Sequence, residues 1–300
     1  MSRPPTRRRL DRAASLTAQF NAAQRAAEYM QPVARRLLDD PYSRHFAGRY
    51  TPLLITPLVA RAALLVIDRY LAGLHAHIVL RARYADDVLH DAIANGITQL
   101  VLLGAGFDTT AFRAAPTQTL TIFEVDAPAT QSEKCRVINR VGLSVDNRIH
   151  WVACDFEQDR LLDCLRQAEF DPLRPSLVIW LGVSFYLSPA AFAHTLSELA
   201  ALSAPSSLLV LDYGDPQLVT EDHTLAAARR ATRAVRRRGE PYRSGFTQQQ
   251  ITAVLSAHGY TVRHHARVPD LMKRYSPMQG SYATDDWLGI ATAERQPKHR

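Results

Sequence analysis

The stretch Leu100–Val101–Leu102–Leu103–Gly104–Ala105–Gly106–Phe107–Asp108 decides how this chain is read. Four apolar residues in a row suit a parallel strand buried on both faces. The glycines that follow let the backbone turn tightly and approach a ligand with no Cβ in the way. A second apolar run, 120–125, closes on the acidic pair Glu124 and Asp126. Asp126 lies twenty positions after Gly106, the spacing at which a βαβ unit sets a carboxylate against ribose hydroxyls. A bare GxG says little. Bracketed by two strands, with the acid at the end of the second, it points to a nucleoside-bearing cofactor.

Working outward, apolar runs predict strands over 99–103, 120–125, 149–153, 177–181, 208–213, 261–266 and 287–293. Helical patterns separate most of them, at 128–139, 161–168, 189–201 and 247–258, and three more precede the first strand, at 15–38, 58–72 and 78–94. Alternating strands and helices predict an α/β fold with a doubly wound sheet, its ligand at the carboxyl edge where strand order reverses. The expected division is a basic tail and helical cap over 1–96 and a Rossmann-like core over 97–300, with an insertion at about 214–246. That insertion is Ala- and Arg-rich and helical in pattern. It sits where a lid would, and a solvated amphipathic decoration fits the pattern equally well.

The 300 residues are 47% hydrophobic, enough to fill the core of one large domain with additions. The net charge of +7 is concentrated at Arg3, Arg7, Arg8 and Arg9, and again at Arg229, Arg230, Arg233, Arg236, Arg237 and Arg238. Aromatic residues are not interleaved with either cluster, so the stacking platforms of a single-strand groove are missing and no nucleic-acid partner is expected. No run reaches the roughly 18 uninterrupted apolar residues of a membrane helix, and the N-terminus lacks a signal peptide's apolar core. A cytoplasmic chain without a membrane partner is the expectation. Cys135, Cys154 and Cys164 show no CxxC spacing, and His75/His77 and His264/His265 lack the i, i+4 spacing of a helical zinc site. No metal is expected. Oligomeric state is open.

Four separated motifs carry a family likeness: Arg81–Ala82–Arg83–Tyr84–Ala85–Asp86–Asp87, the glycine turn through Thr109, Phe123–Glu124–Val125–Asp126–Ala127–Pro128, and Leu181–Gly182–Val183–Ser184–Phe185–Tyr186–Leu187. Gly239–Glu240–Pro241 and Gly245–Phe246 extend it, over about 75–275 in all. The chain resembles the leucine carboxyl methyltransferase family, and more closely its bacterial branch of polyketide and small-molecule O-methyltransferases. The resemblance implies a class I methyltransferase fold of seven strands, the last antiparallel, with S-adenosylmethionine as cofactor. It also implies methyl transfer to a carboxylate or hydroxyl of a small, polyketide-like or aromatic acceptor.

The resemblance further implies that Arg81 clamps the cofactor's carboxylate and that Asp155 and Phe156 read its adenine. Gly104, Ala105, Gly106, Asp108, Glu124, Asp126 and Leu181 complete the expected cofactor set. Read alone, Arg81 is a solvated helix residue near Asp86 and Asp87, and Asp155 fits an ordinary turn residue equally well, whereas Asp126 by itself suits a ribose diol, with a helix N-cap as its alternative. A carboxylate acceptor needs no base at neutral pH, whereas a phenol with pKa near 10 benefits from one. Tyr186 and His223, with His194, are the candidates for base or positioning roles. Two departures stand out: Thr110 where the family commonly has Arg, and Leu181 where it commonly has Glu, both expected beside the pocket. The alternatives are a nicotinamide-dependent oxidoreductase, which would want a third glycine where Thr109 stands, and a non-catalytic cofactor-binding protein of the same fold.

Overall fold

Three helices precede the sheet: α1 (Leu16–Tyr29), α2 (Pro57–Tyr70) and α3 (Leu74–Ala94). The computed structural model describes the chain except residues 1–13, 72, 115–119, 145–147, 157, 221–225, 238, 277–281, 283–286 and 298–300. Helix α1 starts where Ser15 accepts the Ala18 N–H at 3.1 Å and ends well short of the expected residue 38. Pro32 is the reason, since the residue before a proline is pushed out of the helical region. Thr56 and Pro57 open α2 in the same way, the threonine side chain capping Val59 and the proline needing no donor at the first helical position.

The remaining elements are β1 (Gln99–Leu103), α4 (Thr110–Arg113), β2 (Thr121–Asp126), α5 (Pro128–Val141), β3 (Arg148–Ala153), α6 (Leu161–Gln167), β4 (Leu177–Trp180), α7 (Pro189–Leu202), β5 (Leu208–Gly214), α8 (Ala226–Arg237), α9 (Gln248–Ala257), β6 (Tyr260–Arg267), α10 (Val268–Tyr275) and β7 (Leu288–Arg295). The seven strands form one sheet in the order β3-β2-β1-β4-β5-β7-β6. The first five pair in parallel, and β7 runs antiparallel to β5 and β6. All seven expected strands are present, with edges moved by a residue or two. Asp126 falls inside β2, and Leu181 lies just past β4. The short α4 and the amphipathic α10 were not expected. Both are too brief for periodicity to reveal.

Alternation along β1 sends Leu100 and Leu102 to one face, packed with Ile122 and helix α3, and Val101 and Leu103 to the other, packed with Phe123, Val125, Trp180 and Phe192. With both faces covered, each fully buried aliphatic side chain contributes about 1.5–3 kcal/mol. The strand order reverses between β1 and β4. The two strands therefore lead their following loops in opposite directions and leave a crevice at the carboxyl edge.

Candidate active site

A cavity of about 640 Å³ occupies that crevice, within the roughly 300–1,000 Å³ span of small-molecule sites. The glycine turn forms part of its wall. Gly104 has φ +68°, and a Cβ there would lie 2.2 Å from Val183 Cγ2, so only glycine lets the turn pass Val183. The Gly104 and Ala105 N–H groups donate to the Val125 carbonyl at 2.8 and 3.0 Å, tying the turn to β2. Asp126 accepts from the Gly106 N–H through one oxygen and from the Ala127 N–H at 2.6 Å through the other. Burial pushes its carboxyl up to about 6, although both amides favour the charged form. Each carboxylate oxygen has a second lone pair with which to accept from a ligand diol.

Arg81 of α3 lines the same cavity. Its Nη1 donates to Asp212 Oδ2 at 2.6 Å, and both side chains are buried. Asp212 stands near the end of β5 and also accepts from His77 Nε2 at 3.1 Å and from the Gly182 N–H at 2.8 Å. Burial alone would raise the Asp212 carboxyl, but Arg81, His77 and the Gly182 amide outweigh it and hold it below the ordinary carboxylate range. Burial lowers His77, so its neutral ring donates Nε2–H to the carboxylate. A Cβ on Gly182 would meet Arg81 Nη2 at 2.8 Å, so the guanidinium needs that glycine too. The solvated alternative for Arg81 is thereby excluded. Asp212 was not anticipated, and its signal was a lone acid in the apolar run Leu208–Gly214.

Asp108, Asp155, Phe156, Leu181 and Tyr186 also line the cavity. Asp108 accepts the Thr110 N–H at 2.6 Å. Burial would raise its carboxyl, but Arg113, Arg25 and Lys134 hold it low. Asp155 accepts from Gln158 Nε2 at 2.6 Å. Tyr186 packs against Phe185 and, at 5.3 Å between ring centroids, Tyr242. Burial, then the neighbouring Tyr242 and Glu240, push its phenol well above 10, so at neutral pH Tyr186 offers a neutral hydroxyl and no base.

Three expected positions are not at the cavity. Glu124 is buried behind its wall and pairs with Lys134 Nζ of α5 at 2.5 Å. It shares a strand face with Asp126 but sits two residues, about 7 Å, back from the edge. Burial pushes it up to about 7 despite the lysine. Thr110 is buried and accepts from Arg113 Nη2 at 3.2 Å, so of the two departures only Leu181 borders the cavity. His194 is on the exposed side of α7, 3.7 Å from Glu198. His223 lies outside the described residues.

Helix α1 and residues 239–243 cover the cavity. Asn21 and Ala18 face it from α1; Glu240, Pro241 and Arg243 face it from the segment after α8. The Ser15 hydroxyl donates to Glu240 Oε1 at 3.1 Å while accepting its own helix's Ala18 N–H. Further along, Arg25 donates Nη2 to the Phe107 carbonyl at 2.7 Å and Nε to buried Asp40 at 3.0 Å. Arg243 and Ser244 donate their N–H groups to the Phe185 carbonyl. The cover is thus bonded to the glycine turn, to the loop after β4 and to itself. Beside it, Cys154, Asp159 and Cys164 bring ligand atoms within 4.8 Å of one another, a grouping that the cysteine spacing did not suggest. Burial raises the Cys154 thiol far above its ordinary value and keeps it protonated.

The sequence profile described as leucine carboxyl methyltransferase matches residues 18–200. A Bacillus subtilis protein with the provisional name S-adenosyl-L-methionine-dependent methyltransferase YktD is 33% identical over 192 residues, 64% of this chain and 63% of its own length. A Mycolicibacterium smegmatis protein, provisionally named in the same terms, is 34% identical over 199 residues, 66% of this chain and 64% of its length. The match thus spans less than two thirds of either relative. Among solved structures, a DUF574 family protein from Streptomyces avermitilis superposes with a TM-score of 0.60 at 15% identity, covering 96% of this chain and 100% of its own. A Thermobifida fusca protein, provisionally described as a methyltransferase, gives 0.55 at 16% identity, covering 90% and 97%. These likenesses establish the class I, Rossmann-like fold.

Proposed function

The chain belongs to the leucine carboxyl methyltransferase family, and from that premise we propose that it transfers the methyl group of S-adenosylmethionine to an oxygen of a small acceptor. One observation carries the reading: Arg81, held by Asp212, and Asp126, beyond the glycine turn, face a single cavity. A guanidinium fork suits the cofactor's carboxylate and an acid suits its ribose diol. The cradle at Gly104, which a Cβ would fill, brings backbone close to the methionine portion. Asp155 and Phe156 border the adenine end, the first accepting from the exocyclic amine and the second packing on the ring.

When bound, S-adenosylmethionine supplies a methyl group already activated by its positive sulfur. The protein's own task is to bind, align and exclude water, which can supply about 7–11 kcal/mol of the barrier reduction. Of the insertion expected over 214–246, the described segment 239–243 acts as the lid, while 221–225 and 238 lie outside the described residues. This segment closes the cavity through the Ser15–Glu240 bond, and α1 completes the cover as part of an N-terminal cap. No histidine lines the cavity among the described residues, and the Tyr186 phenol stays protonated. A carboxylate acceptor, nucleophilic without a base, is therefore favoured over a phenol. Tyr186 and Leu181 contact the acceptor, the hydroxyl for orientation and the leucine as an apolar floor that suits a polyketide-like or aromatic body.

The test is a transfer assay with labelled S-adenosylmethionine against matched panels of aryl carboxylic acids and phenols, alongside titration with S-adenosylhomocysteine and NADH. Methyl ester formation with micromolar S-adenosylhomocysteine binding is expected. NADH binding without S-adenosylhomocysteine binding would favour the oxidoreductase reading, and cofactor binding without transfer to either panel the non-catalytic one.

A further inference from the structure

Helix α2 presents to solvent a face that a globular chain ordinarily buries. Leu58 is 80% exposed, Val66 69% and Leu65 54%, and Ile55, just before the helix, is 73% exposed. Only Ala60 and Leu64 of α2 are buried. At 100° per residue, Leu58, Leu65 and Val66 fall within one third of the helix circumference, with Arg69 among them and Arg61 on the flank. A contiguous apolar patch of this kind marks an interaction surface.

The charge around the patch identifies its partner. Arg61 and Arg69 are exposed, and the one acid of α2, Asp68, is half-buried. At the end of α2, Arg230 of α8 lies over the Tyr70 ring at 5.1 Å and donates Nη1 to the Tyr70 carbonyl at 3.1 Å. Helix α8 therefore continues the face. It carries five arginines and no acidic residue between Ala226 and Arg237, and Arg229, Arg233, Arg236 and Arg237 are exposed. Two copies docked through this face would set arginine against arginine with no exposed acid on α2 or α8 to offset them. An anionic lipid surface meets both demands, because its acyl region takes the leucines and valines while its headgroups take the guanidiniums. Among the described residues no single helix is long and apolar enough to cross a membrane, and the turn of helix at Gly48–Leu54 meets α2 at 114°. The face thus suits peripheral docking.

We propose that α2 and α8 together dock this protein on anionic membranes. This revises the composition-based expectation of a chain without a membrane partner. It is independent of the proposed reaction.

The test is flotation of the full chain with vesicles of phosphatidylglycerol and phosphatidylcholine, and with phosphatidylcholine alone, at low and high salt. Flotation with the anionic vesicles only, reduced at least tenfold by high salt, is expected. The double variant Leu58→Asp, Val66→Asp should reduce it at least tenfold with an unchanged thermal midpoint. If that variant fails to fold, Arg233→Glu with Arg236→Glu should give the same loss. Failure to float with anionic vesicles, or equal flotation with neutral ones, overturns the proposal. A dimer by light scattering that the double variant dissociates also overturns it and assigns the face to a second copy.

Discussion

Arg81 and Asp212, 131 positions apart, meet through a 2.6 Å ion pair buried at the edge of the cavity. The carboxylate takes three donors, from Arg81, His77 and Gly182, so it fixes one end of the guanidinium and leaves the fork aimed along a set direction. Removing one partner of a buried pair costs about 3–5 kcal/mol, because the other charge is left uncompensated.

Asp212→Asn should therefore act through Arg81. The amide retains one acceptor and turns an N–H₂ toward existing donors, so cofactor affinity is expected to fall at least tenfold, with KM rising more than kcat falls. Calorimetry with S-adenosylhomocysteine and steady-state kinetics read the split. Acid unfolding supplies a second readout. The folded-state carboxyl sits below its ordinary 3.8, so its contribution is present above that value and lost as pH falls through the lower folded-state pKa. The variant should lack that acid-side loss, and unaltered cofactor binding would remove the positioning role.

Asp126→Ala is expected to weaken cofactor binding more than tenfold, since an ionised acceptor for two hydroxyls disappears. In the unaltered protein the carboxyl titrates at about 6. The dissociation constant should then rise about tenfold per pH unit below that value, because only the deprotonated form accepts from both hydroxyls. A flat profile between pH 5 and 7 (~two units about the pKa, where the slope should show) would contradict the ribose contact.

Gly104→Ala combines a positive φ with a 2.2 Å approach to Val183. Strain of about 1–3 kcal/mol is expected, as a lower denaturation midpoint. Cofactor affinity should fall with it, because the turn moves away from β2. Gly142→Ala offers the comparison: its φ is +67° but nothing lies within 4 Å, so it should cost less stability and leave binding unchanged.

Leu181→Ala opens the cavity beside the proposed acceptor and leaves Arg81 and Asp126 untouched. The acceptor KM should change severalfold while S-adenosylhomocysteine affinity holds. Parallel changes in both would place Leu181 against the cofactor instead.

Ser15→Ala removes the hydroxyl that joins α1 to Glu240. The N-cap bond to Ala18 goes with it, for a cost of about 0.5–2 kcal/mol. Glu240→Gln keeps the N-cap and weakens only the clasp. Faster release of S-adenosylhomocysteine in stopped flow is expected from both, and release unchanged in Glu240→Gln would show that the clasp does not gate the site.

The seven strands, the glycine turn and Asp126 were legible because each is a local pattern. A buried parallel strand must be continuously apolar, and a turn that needs positive φ selects glycine. Glu124 misled for a related reason. Period-two alternation gave its face correctly, but depth below the sheet edge depends on where β2 ends, and that lies one residue beyond the apolar run. Thr110 misled because its partners, Asp108 and Arg113, become apparent only once α4 is seen as a helix.

What the chain determined by itself is the order of strand and helix, the glycine turn that walls the cavity, and the motifs of its family. Tertiary structure alone decided which residues meet at that turn. Arg81 finds Asp212 across 131 positions and Ser15 finds Glu240 across 225, pairings that follow from β1 lying beside β4 and from α1 folding back over the crevice. It also decided that α2 leaves Leu58, Leu65 and Val66 in water while burying Leu64, since the same apolar pattern would suit a buried helix. A sequence pattern states which face of an element is apolar, and only the packing of its neighbours states whether that face is covered.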